Sequence, residues 1–166
     1  MRYRVAVVAP NVVDVVRLAG GWLFDQTMAG WDVSVIVADH LDARPLQILG
    51  AITLDLESAL ASPHGPCPQV IAVSADLYQT DSRVRRGVLA NLDKGETEVM
   101  LLGDTFPDDL DERFGAGSHR LSMAARAFKA HALAAAAVSV DSIGATETFR
   151  HNELLNWPSL SISDIA

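Results

Sequence analysis

The sequence predicts an α/β domain built on a doubly wound, mainly parallel, five-stranded sheet, a three-layer sandwich of Rossmann-like or flavodoxin-like type. Three observations predict it. Short, apolar, β-branched runs recur along the chain, as strands covered on both faces require. Each clear run is followed by a stretch with helical spacing, which implies right-handed crossovers and parallel neighbours. The 166 residues are 49% apolar and 20% charged, enough to bury a core and far from the composition of disordered chains.

Val5 to Ala9 reads as the first strand, stopped by Pro10-Asn11. Asn11 is a good N-cap, and Asp14 in the first turn complements the helix dipole. Val12, Val15, Val16, Ala19, Trp22 and Leu23 then recur at helical spacing, and Gly30 closes the helix in a left-handed position. The pair Gly20-Gly21 costs helix propensity, which a close approach to the sheet would explain. Trp31 to Ala38 is the second strand, ending at Asp39-His40, and Pro45 opens a short helix that Gly50 stops. Ile52 to Leu56 alternates like an edge strand, with a helix running into Ala61 as the alternative. Val70 to Ser74 is the next buried strand, followed by a helix capped at Thr80 or Asp81 and ended near Gly95. Glu98 to Leu102 is the last clear strand. Ser118 is expected to cap a long Ala-rich helix reaching Val138. Beyond Asp141 the pattern weakens to a short helix around Glu147 to Leu155 and a final Ser/Ile segment. The α/β domain is therefore placed at 1–141, and 142–166 is a C-terminal extension that packs on it or binds a partner. The strand order is 3-2-1-4-5 if the Ile52 strand exists and 2-1-3-4-5 if it does not.

The totals narrow the function. A formal charge of −8 repels a phosphate backbone, and the basic trio Arg83, Arg85 and Arg86 reads as a solvated helix face, so nucleic acid is excluded as a partner. Cys67 is the single cysteine, which rules out an intrachain disulfide and a thiolate zinc cage. No apolar stretch approaches the ~18 residues of a membrane span, and the N-terminal residues carry no signal-peptide pattern. A cytoplasmic, membrane-independent setting is the expectation.

Either strand order puts a pocket at the carboxyl ends of the strands, between the first strand and the one ending at Ser74. The candidate ligand-binding residues there are Asn11, Asp14, Asp39, Asp76, Tyr78, Thr80 and Asp104. Dinucleotide binding needs bare glycine backbone after the first strand. This loop offers Asn11, Val12, Val13 and Asp14 instead, so bulk and negative charge stand where a diphosphate would sit. No P-loop occurs, and neither Lys94 nor Lys129 follows the strand ending at Leu102 as a receiver site would need. Asp39, His40, Asp42, Asp76 and Asp104 converge on one sheet edge as carboxylates of a hard-metal site do, yet aspartate also ends strands for backbone reasons. Ser74 lacks the context of a nucleophile elbow.

The order Ala29-Gly30-Trp31-Asp32-Val33, Val73-Ser74-Ala75-Asp76-Leu77 and Leu102-Gly103-Asp104 resembles flavodoxin-like cobalamin-binding domains in layout, over Arg2 to Val138. The loop after the first strand has no Asp-x-His-x-x-Gly motif, and Asp104 follows Gly103 where a second glycine belongs. The resemblance therefore implies fold and not cofactor, and no cofactor is assigned.

The scaffold without its phosphate-cradling loop leads to the expectation of a non-catalytic accessory or regulatory domain that works through a protein partner or self-association. The Ala-rich helix and the aromatic-aliphatic cluster at Trp157 are its candidate contact surfaces. A small-molecule-, nucleotide- or metal-dependent enzyme using the aspartate cluster Asp39, Asp76 and Asp104 at the strand ends is the alternative.

Overall fold

In a computed structural model of the protein, residues 3–39, 42–61 and 67–152 are described. The chain runs β1 (Arg4–Asn11), α1 (Val12–Met28), β2 (Asp32–Asp39), α2 (Arg44–Ile48), β3 (Ile52–Asp55), α3 (Leu56–Ala61), β4 (Val70–Ser74), α4 (Ala75–Thr80), α5 (Ser82–Lys94) and β5 (Glu98–Leu102). A 3₁₀ turn (Asp108–Leu110), β6 (Gly115–Arg120), α6 (Met123–Ala135) and β7 (Thr146–His151) complete it. The strands form one seven-stranded sheet in the order β3-β2-β1-β4-β5-β7-β6. Strands β1 to β5 are mutually parallel, and the β6-β7 pair is added antiparallel to the edge of β5.

The three-layer α/β architecture stands, and the parallel core follows the order 3-2-1-4-5 because the Ile52 strand pairs with β2. Two features of the expected five-stranded sheet are corrected. The flavodoxin-like order 2-1-3-4-5 does not occur, and the sheet has seven strands. Gly115 to Arg120 is the strand β6 and not the start of a helix; Ser122 caps α6, accepting the Ala125 N–H at 3.0 Å. Thr146 to His151 is a strand and not a helix. Neither segment shows an apolar run, because a two-stranded edge takes its order from pairing with β5 and with itself. Trp157 and the rest of 153–166 lie outside the described residues, as do His40 and His64. No described helix is long and apolar enough to cross a membrane.

Local chemistry places several other boundaries as expected, but Ala75 to Thr80, for which no helix was expected, forms α4, with the Ser74 hydroxyl accepting the Leu77 N–H at 3.3 Å. The Asn11 side chain accepts the Asp14 N–H at 2.8 Å, and Asp81 caps α5 through Arg83 N–H. Gly30, Gly50 and Gly95 all take positive φ at helix ends.

The sheet's two faces are covered unequally. Helices α1, α2 and α6 seal one face, where Val5, Val7, Val33, Val35 and Ala72 are buried. On the other face α3, α4 and α5 cover Val73, Val99 and Leu101 but leave Val8, Ile36 and Ile71 partly exposed.

Helices α1 and α6 pack against each other through groups that the sequence pattern does not advertise. A Cβ on Gly21 would stand 2.2 Å from Leu121 Cδ2. The glycine therefore admits the entry to α6, and not the sheet as its spacing suggested. At the same step Glu147 of β7 accepts the backbone N–H groups of Gly21 and Trp22 at 2.9 and 2.7 Å. Lys129 of α6 donates to Glu147 Oε2 at 2.7 Å and to the Arg17 carbonyl at 2.8 Å. That carbonyl is the acceptor an unbroken helix would offer to Gly21. The buried pair thus enters the hydrogen-bond ladder of α1, a known cause of helix bending. One turn further on, Asp25 accepts Ser122 Oγ–H at 2.6 Å and lies 2.6 Å from His119 Nε2.

Removing one member of a buried ion pair leaves the other charge without its counterion. Lys129→Met is expected to lower stability by about 3–5 kcal/mol, and Lys129→Met/Glu147→Leu by less than the sum of the two single changes. Urea denaturation of the three variants measures both.

Candidate functional site

An open cleft of about 290 Å³ lies at the carboxyl ends of β1 and β2. Its walls are Asn11, Val12 and Val13 at the start of α1, Asp39 and Asp42 after β2, Pro45 of α2, and Ala135, Ala136 and Ala137 at the end of α6. Ordered parallel strands aim their carboxyl ends and the following helix N-termini at this edge, so donors and acids collect there. Asn11 satisfies the third N–H of α1, which leaves the Val12 and Val13 N–H groups as the helix's first donors with no partner of their own inside the helix. Asp42 Oδ1 accepts the N–H of Arg44, the first residue of α2, at 3.1 Å. Ala137 closes α6 in the left-handed region at φ 58°, where glycine is the favoured residue.

Of the sequence-based candidates, Asn11 and Asp39 line the cleft directly. Asp14 and Asp104 meet through a residue that went unnoticed: the Arg17 guanidinium lies 3.7 Å from both carboxylates. Arg17 follows Asp14 by one helical turn, and that spacing was its only sequence signal. Asp76, Tyr78 and Thr80 stand on α4, outside the lining of the cleft. Asp76 and Thr80 are exposed, and the Thr80 hydroxyl donates back to the Asp76 carbonyl at 2.9 Å. Tyr78 is buried and donates to Asp109 at 3.0 Å, with Arg85 over its ring. Burial first, and then the bond to Asp109, raise the Tyr78 phenol above its ordinary pKa. The alanines of α6 carried no signal, since nothing distinguishes them from their Ala-rich neighbours.

Among the described residues no group of three His, Cys, Asp or Glu is placed to hold a metal ion. Asp39 and Asp42 share the cleft lining, Asp76 and Asp104 are not part of it, and His40 lies outside the described residues.

The strongest exposed electrostatic feature lies elsewhere. Arg83 of α5 forms a two-pronged pair with Glu57 of α3, both contacts at 2.8 Å, and also meets Asp81 at 2.9 Å. The Arg83 hydrogen bonds hold the Glu57 and Asp81 carboxyls below their usual values, and the guanidinium is held protonated in return.

A scan of protein-family models and a search of curated proteins return no match. Solved structures do match across the whole chain. The A40926 pseudoaglycone deacetylase Dbv21 is similar to it with a TM-score of 0.60 at 14% identity, over 95% of this chain and 100% of that one. A triple mutant of the deacetylase Orf2 involved in teicoplanin biosynthesis gives 0.58 at 11% identity, over 93% and 100%. The conserved protein TT1542 from Thermus thermophilus gives 0.51 at 14% identity, over 94% and 95%. The shared property is the fold. The scaffold is therefore one on which deacetylases are built, and the expectation of a non-catalytic accessory or regulatory interaction domain is corrected by these likenesses.

Two outcomes follow from this geometry. Ala137→Gly removes the left-handed cost of a Cβ and is expected to raise stability by about 1 kcal/mol, read by urea denaturation. The Arg83 cluster adds an acid-sensitive contribution. Its carboxylates titrate lower in the folded chain than unfolded, so their stabilisation is complete above the unfolded values, about 4. It fades as pH falls through the folded ones. Melting temperatures of wild type and Arg83→Met are expected to differ at neutral pH and low salt, and to converge on acidification.

Proposed function

We propose that the protein is a small-molecule hydrolase that removes an acyl group from an amine in the cleft between α1 and α6. What carries the proposal is a cleft with Asp39 and Asp42 in its walls at the strand ends on a scaffold similar to that of the A40926 pseudoaglycone and teicoplanin deacetylases. Hydrolysis of an N-acyl group breaks a carbon–nitrogen bond and releases an amine that is protonated at neutral pH. Asp39 and Asp42 favour that cationic product by simple attraction. The modest cleft volume suits the acyl-amine portion of a substrate and not a whole macromolecule.

The roles follow from position. Asp39, exposed at the end of β2, accepts a proton from the attacking water as general base. The Val12 and Val13 N–H groups, at the positive end of α1, stabilise the oxygen of the tetrahedral intermediate. The proton taken by Asp39 returns to the departing nitrogen as the intermediate collapses. Asn11 holds this turn in place through its cap on Asp14, and so acts as a positioning residue. Arg17, bridging Asp14 and Asp104, fixes the rim.

The test is release of free amine from a panel of N-acyl amines ranging from acetyl to long-chain acyl. Asp39→Asn is expected to cut the rate by about 10²–10⁴-fold while substrate still raises the melting temperature. No amine from any member of the panel, or a rate untouched by Asp39→Asn, refutes the proposal.

A further inference from the structure

The second face of the sheet is under-covered, and the shortfall is local. Helix α3 has six residues, too few to roof both β1 and β2. Between it and α5 an apolar groove of about 170 Å³ remains. Its floor and walls include Val8, Ile36, Leu60, Ile71, Val88 and Val99. Apolar surface continues outward on the same face to Leu54 and Ile52 of the edge strand, which are 44% and 63% exposed. Helix α5 presents Gly87 to the groove, where a Cβ would meet nothing within 4 Å. Dry apolar cavities of roughly 150 Å³ accept a benzene-sized ring.

The described chain ends at Asn152, at the β7 side of β5. Asn152 donates its N–H to the Val99 carbonyl at 3.1 Å and accepts the Val99 N–H through Oδ1 at 2.7 Å. Val99 itself lines the groove. Residues 153–166 then bring Leu154, Leu155, Trp157, Leu160, Ile162 and Ile165 against only two charges, Glu153 and Asp164. Crossing from β5 over β4 to β1 takes two strand spacings of about 4.8 Å each. A chain extending about 3.3 Å per residue covers that in a few residues.

We propose that this groove is the seat of the chain's own segment 153–166, with Trp157, its one aromatic residue, as the anchor. The segment completes the helical layer that α3 leaves short, and it lies on the face opposite α1 and α6. The proposal is independent of the chemistry at the strand ends.

Trp22 and Trp31 are buried in the core, so Trp157 is isolated as the difference between each protein and its Trp157→Phe counterpart. In the full chain its emission is expected to be shielded from acrylamide, with a quenching constant several-fold below that of free tryptophan. Gly87→Phe fills the groove from a position with open space and is expected to release that shielding without unfolding the domain. A chain ending at Asn152 is expected to bind a hydrophobic dye more strongly and to melt earlier. Free quenching of Trp157 in the full chain, unaltered by Gly87→Phe, overturns the proposal. So does a concentration-dependent dimer by light scattering that Gly87→Phe abolishes while Trp157 quenching stays unchanged, since a second copy would then occupy the groove.

Discussion

The ion pair between Lys129 and Glu147 is the constraint on which the remaining architecture depends. Both groups are buried, and both reach into the backbone of α1, at the Arg17 carbonyl and the Gly21 and Trp22 N–H groups. Three elements distant in sequence, α1, α6 and β7, therefore meet at one point. The cost of burying two charges is offset by further hydrogen bonds, since Glu147 also accepts two backbone N–H groups and Lys129 also donates to the Arg17 carbonyl. Gly21 is the sequence's accommodation to this meeting, since any side chain there would occupy the volume of Leu121.

The cleft inherits its shape from that clamp. Helices α1 and α6 run antiparallel, tied at one end by Asp25 with Ser122 and His119 and in the middle by Lys129. Their opposite ends, Val12–Val13 and Ala135–Ala137, stand as facing walls. A helix pair fixed at two levels cannot splay at the third without disturbing buried hydrogen bonds. The site is thus made from rigid elements, with a cap on one side and a left-handed alanine on the other.

The two sides of the sheet divide the labour. The face under α1, α2 and α6 holds the closely packed core and carries the cleft at its upper edge. On the other face the short helix α3 is joined across a gap to α5 by Glu57 and Arg83, an exposed contact that contributes modestly and weakens in salt. Its apolar groove marks where the covering helix falls short. The likeness to deacetylases over nearly the whole chain concerns the scaffold, whereas the aspartates and valines at the strand ends form this chain's cleft.

The parallel core was legible in the sequence because its signals are local. Strands buried on both faces need continuous β-branched runs, and caps such as Asn11, Asp81 and Gly95 act within three or four residues of themselves. The cleft lies at the carboxyl ends of β1 and β2 and not between β1 and β4, where the strand order alone had placed it, although Asn11 and Asp39 are among its walls. The edge strands β6 and β7 were not legible, for Gly115 to Arg120 and Thr146 to His151 carry no alternation and are strands only because β5 offers an unpaired edge. Nor did sequence distinguish Asp39, which lines the cleft, from Asp76, which faces solvent on α4. No local pattern marks Glu147 and Lys129 as buried partners, since they stand on separate elements that only the fold brings together. Sequence alone determined the strands of the parallel core and several of the helix caps between them, because hydrogen bonding and burial period act over a few residues. Tertiary structure decided which charges are buried, which edge is paired and which side chains share a cleft, because those depend on contacts between residues as much as 126 positions apart.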